Sequence, residues 1–134
     1  MKNRKYQDWI DAASDDLDMA RLALGNGYWS HVCFLSQQVV EKSLKSLFLV
    51  EGKVYPKTHK LMDLLTNLGN LAKEIKGFKA EIKVLDEYYL ATRYPDAIPG
   101  KRADGLPEEA HAKTAIETAE KVFNLVKGIT EGQC

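Results

Sequence analysis

From Tyr6 to Leu24 the apolar residues fall at Tyr6, Ile10, Ala13, Leu17, Ala20 and Leu24, alternating steps of four and three. That spacing draws one stripe along a helix. Asp8, Asp11, Asp15, Asp16 and Asp18 lie mostly off the stripe, and Gly25-Asn26-Gly27 ends it, supplying residues that tolerate a left-handed backbone. A second helix is predicted from about Tyr28 to Glu51, with Gly52 as its stop. Val32, Leu35, Val39, Leu47 and Val50 form one line on it, and Trp29, Cys33, Val40, Leu44 and Phe48 lie beside them. So broad a stripe is covered on more than one side, which makes the helix either the centre of a bundle or the donor of a face to another subunit. Its middle carries Gln37, Gln38, Glu41, Lys42 and Lys45, with Glu41 and Lys45 at the spacing that brings side chains together. The lysines read as a solvated edge. Gln38 and Glu41 fit equally an edge or a polar cluster lining a groove or interface.

Thr58 is placed to cap a short third helix bearing Leu61, Leu64, Leu65 and Leu68, closed by Gly69-Asn70. Leu71, Ile75, Phe78, Ile82, Leu85 and Tyr89 continue the helical period as a fourth helix, with Gly77 inside it able to bend or split the segment. Pro95, Pro99, Gly100 and Gly105 make the stretch from Arg93 to Leu106 the longest loop. Pro107 suits the first turn of a last helix, Glu108 and Glu109 complement its positive end, and Ala112, Ile116, Ala119, Phe123 and Val126 give its stripe. Gly128 marks its expected end. No strand-like alternation, phosphate loop or internal repeat interrupts this series. The expected architecture is all-α: an antiparallel up-and-down four-helix bundle with a short additional helix. One domain is expected over residues 1–134, with its core over about 6–127.

Composition changes this picture little. A chain of 134 residues suits one domain with a packed core, and 19 basic against 19 acidic residues leave no protein-wide field to draw nucleic acid. No apolar stretch approaches the roughly 20 residues of a membrane span, and the charged start MKNRKYQDWID is unlike a secretory signal. A cytoplasmic protein with no membrane partner is expected. Cys33 and Cys134 have no metal-ligand spacing. Cys33, in an apolar run, reads as a small core hydrophobe, and no metal or cofactor is expected.

Several segments recur in a familiar order. They are Trp9, Ala13 and Asp16, then Gly27-Tyr28-Trp29, then Gln37-Gln38-x-x-Glu41-Lys42-x-Leu44-Lys45. His59 and Leu61 follow, and then Tyr88-x-x-x-Thr92-Arg93-Tyr94-Pro95-Asp96. In combination these resemble the HEPN family, over roughly Tyr6 to Val126. The resemblance implies a helical bundle, usually a homodimer, often paired with a separate minimal nucleotidyltransferase in a module of toxin-antitoxin type. In the family's ribonuclease branch, an arginine followed by a histidine four to six residues on would form a metal-independent active site at the dimer cleft.

This chain departs from that pattern. Counted from Arg93, the histidine positions hold Ile98, Pro99 and Gly100, and the chain's histidines are His31, His59 and His111. Arg93 matches the family arginine; Tyr94-Pro95-Asp96 matches its small prokaryotic members. Just past a helix end, Arg93 suits the helix's negative pole and could pair with Asp96. It also reads phosphate bidentately, and the resemblance implies the family cleft here, with Arg93, Tyr94, Asp96, Tyr88, Gln38, Glu41 and Lys45 as the candidate ligand- and phosphate-site residues. Tyr88 and Tyr94 could stack on a base, although tyrosines beside a bundle seam are more often packing residues. His59, at the start of the third helix, reads as a capping or packing residue. The leading reading is a homodimeric nucleotide- or RNA-binding module acting with a nucleotidyltransferase. The rivals are a ribonuclease pairing Arg93 with a displaced His59 or His111, and a purely structural adaptor.

Overall fold

The computed structural model describes residues 5–89 and 96–132. The helices that periodicity marks out are α1 (Lys5–Gly25), α2 (Trp29–Val50), α3 (Leu61–Leu68), α4 (Lys79–Asp86) and α5 (Glu109–Gly132). They form an antiparallel all-α bundle. A tight turn joins α1 to α2: Gly27 N donates to Leu24 O and Tyr28 N to Ala23 O, with Gly27 at φ 79°. At the far end of α2 the same device returns, with Lys53 N donating to Phe48 O and Gly52 at φ 72°. Glycine takes this left-handed backbone without the penalty that a β-carbon imposes.

Of the two arrangements open to α2, the structure takes the central one. It packs against α1, α3, α4 and α5, and from Val39 to Val50 every residue except Lys42 is buried. That half of α2 has no free apolar face, so its breadth is accounted for within one chain. Val39, Val40, Leu44 and Leu47 meet Leu17, Leu64, Ile82, Ile116 and Val122 in a single core, each large aliphatic side chain contributing about 2 kcal/mol by its burial.

Three sequence expectations change. The fourth helix is not long: Gly69–Ala72 and Ile75–Phe78 are separate 3₁₀ turns, and only Lys79–Asp86 is α-helical. Ala72, Ile75, Ile82 and Leu85 are nonetheless buried, because a 3₁₀ turn also returns every third side chain to one face. The last helix does not stop at Gly128 but continues to Gly132, and a single interior glycine costs only about 1 kcal/mol. It starts at Glu109 rather than at Pro107, with Ala112 N donating to Glu108 O.

The cap of α3 is also not Thr58. Lys60 occupies the N-cap position without a side-chain bond, and Asp86 at the end of α4 supplies the acceptors. Its carboxylate takes Leu61 N at 2.6 Å and Met62 N at 3.2 Å, two of the donors a helix start leaves unpaired. Thr58 instead accepts Lys60 N and donates to Asp63. Burial holds the Asp86 carboxyl above its ordinary range, opposed by those two backbone donors.

The chain after α4 is fastened back onto α2. Gly100 N donates to Tyr88 O at 3.0 Å. Gly100 has φ 84°, and a β-carbon there would lie 2.0 Å from Ser30 O. Arg102 and Gly105 exchange both backbone hydrogen bonds, so the segment enters α5 through a fixed turn.

Candidate functional site

One line of α2 that is polar in the sequence runs along its most buried part. Gln37, Glu41 and Lys45 follow at steps of four and are all buried. Lys45 is therefore not on a solvated edge, contrary to the sequence expectation. Its Nζ donates to Glu41 Oε2 at 2.9 Å, and the two side chains are 8% and 5% exposed. The ammonium also lies 5.4 Å from the Trp9 ring and 5.1 Å from the Tyr55 ring, which meet edge to face. A cation over ring faces is stabilised by their quadrupoles, and this is how α2 keeps a lysine in its interior. Lys42 points elsewhere, donating to Asp16 at 2.6 Å and tying α2 to α1.

Glu41 is the hub of this network. Its Oε1 accepts Gln37 Nε2 at 3.2 Å, and its Oε2 lies 3.2 Å from His59 Nδ1 as well as against Lys45. Gln37 also donates to the His59 carbonyl, and its own oxygen accepts Gln38 Nε2 at 2.6 Å. A carboxylate only accepts, so the proton between Glu41 and His59 sits on Nδ1. In the neutral ring Nε2 is then left as the acceptor, on a half-exposed side chain. The pairing therefore fixes the tautomer of a histidine that the sequence alone reads as a cap or packing residue.

His59 stacks on Tyr89, with ring centroids 4.7 Å apart, and Tyr89 stacks on Phe34 at 5.8 Å. Three flat rings thus stand in a tier on one side of the Glu41 network. Tyr88, a candidate ligand residue that the sequence reads more readily as a packing residue, is 1% exposed: its burial corrects the ligand role and bears out the packing one. The Tyr88 hydroxyl is hydrogen-bonded with Arg102 and the Cys33 thiol. Burial pushes the tyrosine up to about 12 and the thiol up to about 11, so Cys33 is an inert core thiol, as the sequence implies. Arg102 also pairs with Glu87 and Asp104, both at 3.2 Å, and these partners favour its charged form.

The structure thus brings Gln38, Glu41, Lys45 and His59 together, and separates Tyr88 from them. Asp96 is exposed. His111 is not in the cluster: its Nδ1 accepts Glu108 N at 3.0 Å, closing the first turn of α5. Arg93, Tyr94 and Pro95 lie outside the described residues. Sequence reading missed Phe34, Tyr89, Trp9 and Tyr55 as members, and placed Gln37 in the polar cluster of α2 without making it a candidate site residue. The available signal was polar residues recurring every fourth position, at Gln37, Glu41 and Lys45, in an otherwise apolar helix. Among the described residues no group of histidine, cysteine and carboxylate side chains is arranged to hold a metal ion, and no helix is long and apolar enough to cross a membrane.

Comparison with known proteins adds to this geometry. Residues 6–129 match the sequence model of the HEPN domain. A relative from Methanocaldococcus jannaschii, named "Putative toxin MJ1304", is 24% identical over 135 residues, covering 93% of this chain and 88% of its own. The crystal structure of TT1696 from Thermus thermophilus is similar at a TM-score of 0.77 and 33% identity, over 93% of this chain and 98% of that one. ST0689, described as an archaeal HEPN homologue, is similar at a TM-score of 0.70 and 34% identity, over 97% and 99%.

Proposed function

This chain belongs to the HEPN domain family, and from that membership we propose that it is a nucleotide- or RNA-binding module that works with a separate minimal nucleotidyltransferase, in an arrangement of toxin-antitoxin type. The observation that carries the binding reading is the tier of Phe34, Tyr89 and His59 beside the Glu41 network. Aromatic faces accept bases regardless of sequence, each stacked base contributing about 1–3 kcal/mol. Arg93 follows Tyr89 by four positions in the chain and would supply a phosphate-binding fork. The name of the Methanocaldococcus relative supports the toxin-antitoxin setting. A homodimer is part of this reading.

A second reading is favoured by one specific observation. Glu41 holds His59 with Nε2 as the free acceptor, which is the form a general base needs to take a ribose 2′-hydroxyl proton. With Arg93 stabilising charge on the phosphate, the 2′-oxygen would attack the adjacent phosphorus as its bond to the 5′-oxygen breaks, and protonated His59 would return the proton to that leaving oxygen, cleaving RNA without metal.

Fluorescence anisotropy with a labelled single-stranded oligoribonucleotide in EDTA tests both. Binding that weakens about tenfold or more in Arg93→Ala and in Tyr89→Ala supports the module. Absence of binding at high protein concentration refutes it and leaves the adaptor. Cleavage of the same RNA, lost in His59→Phe and in Arg93→Ala, establishes the nuclease; intact RNA after prolonged incubation removes it. Co-purification with the product of the adjacent gene tests the partner.

A further inference from the structure

The Glu41 network joins three ionisable groups that differ in their access to water. Lys45 and Glu41 are 8% and 5% exposed, whereas the His59 side chain is 46% exposed. The inner two hold their charges where solvent does little to compensate them, and the ring trades its proton with water. Lys45 Nζ and His59 Nδ1 meet the same oxygen, Glu41 Oε2, at 2.9 Å and 3.2 Å. One carboxylate thus faces two groups that can each carry a positive charge. The Trp9 and Tyr55 rings lie 5.4 Å and 5.1 Å from Lys45 Nζ, and ring faces favour its charged form. Glu41 is therefore neutralised from the interior, and a proton added to His59 would place a second, unmatched charge beside the ammonium. The other charged groups near the ring are engaged elsewhere. Lys42 on α2 pairs with Asp16. Asp86 on α4 takes Leu61 N and Met62 N and lies within reach of the Lys60 and Asp63 charges. Tyr89 meets His59 with its ring face. Among the described residues, Glu41 is the carboxylate that pairs with His59.

We propose that Lys45 is a positioning residue for His59, supplying the counter-charge of Glu41 from inside the bundle so that the ring stays neutral, with its proton on Nδ1 and Nε2 left as an acceptor. This deepens the second reading above and rests on it for the use of Nε2. A neutral Nε2 takes the proton of a ribose 2′-hydroxyl. A ring that rested in its cationic form would instead donate from both nitrogens and hold phosphate. Lys45, buried behind Glu41, thereby selects a base rather than an anion binder for the part of the tier that His59 forms.

Nitrogen-15 NMR of the full chain at pH 7, with the His59 signals assigned by their loss in His59→Phe, tests this. Wild type should show one protonated and one bare ring nitrogen, with the proton on Nδ1. In Lys45→Met the ring should carry two protonated nitrogens at the same pH, because Glu41 then draws its counter-charge from His59. Lys45→Arg should return the wild-type pattern, which a role in packing alone would not require. RNA cleavage at pH 7 should drop about tenfold or more in Lys45→Met and recover as pH rises and the extra proton leaves. A cationic His59 in wild type overturns the proposal, and so does a neutral one in folded Lys45→Met. If wild-type protein leaves RNA intact while the spectra come out as expected, the nuclease reading falls and the hold of Lys45 on the ring stands. Should Lys45→Met not fold at pH 7, acidification should restore its circular dichroism but not that of Lys45→Met with His59→Phe; equal recovery of the two, or recovery of neither, refutes the inference.

Discussion

Replacing Glu41 with alanine removes the carboxylate from an ammonium held largely out of water. Lys45 is 8% exposed, and its remaining neighbours are the Trp9 and Tyr55 rings. Breaking a buried pair by deleting one member costs about 3–5 kcal/mol, because the other charge stays desolvated. Gln37 Nε2 and His59 Nδ1 lose an acceptor in the same step. Against a total stability of about 5–15 kcal/mol, the loss consumes a large share, and the melting temperature should fall by about 10–20 °C. Urea unfolding followed by circular dichroism measures it. The discriminating control is Glu41→Leu with Lys45→Met, in which no unpaired charge remains. An apolar replacement of a buried pair is often neutral or stabilising, so the double variant should regain most of the loss. If Glu41→Ala costs less than about 1 kcal/mol, the size of a surface pair, or if the double variant is as unstable as the single one, then the pair is not desolvated as described.

Other perturbations follow from the same packing. Asp86→Ala removes both side-chain acceptors from the start of α3 and should cost about 1–2 kcal/mol in urea unfolding. Because burial raises the Asp86 carboxyl, the folded state holds its proton more tightly than the unfolded state does. That contribution is complete below the unfolded value of about 4 and is lost as pH rises through the higher folded value; the stability of wild type relative to Asp86→Asn should therefore fall between acidic and neutral pH, and a rise would contradict the assignment. Gly100→Ala meets Ser30 O at a left-handed φ and should destabilise by about 2–4 kcal/mol, read as a lower urea midpoint. In a Cys134→Ser background, Cys33, held near 11, should stay unreactive to a thiol reagent at pH 8 until denaturant is added.

Most of the bundle was legible because amphipathic period and glycine stops are local signals. The α1 stripe and the Gly27 and Gly52 turns place the first hairpin from sequence alone. The split of the fourth helix was legible only as the break that Gly77 allows; the two 3₁₀ turns before α4 were not, since Ala72, Ile75, Ile82 and Leu85 keep nearly the same facing in 3₁₀ and α turns. Period put Tyr89 on the apolar stripe, yet Tyr88 is the buried one: α4 ends at Asp86, and past a helix end the periodic facing no longer holds. Asp86 as the cap of α3 depends on a contact across 25 positions, which no local motif announces. Lys45 was misplaced for a related reason. A lysine is ordinarily a surface residue, and the rings that allow its burial lie off its own helix, Trp9 on α1 and Tyr55 past the end of α2.

The hydrogen bond from Gly100 to Tyr88 holds the two ends of the intervening chain 3.0 Å apart. Framework contacts thereby fix the entry and exit of the stretch that carries the RYPD motif, whatever residues lie between. Lengthening a closed segment is thermodynamically mild, about 0.6 kcal/mol for each doubling. Relatives could therefore exchange the chemistry carried there, or insert a histidine, without renegotiating the helices beneath: the neck works as a socket, and its constraint falls on Gly100, whose β-carbon would meet the backbone carbonyl of Ser30.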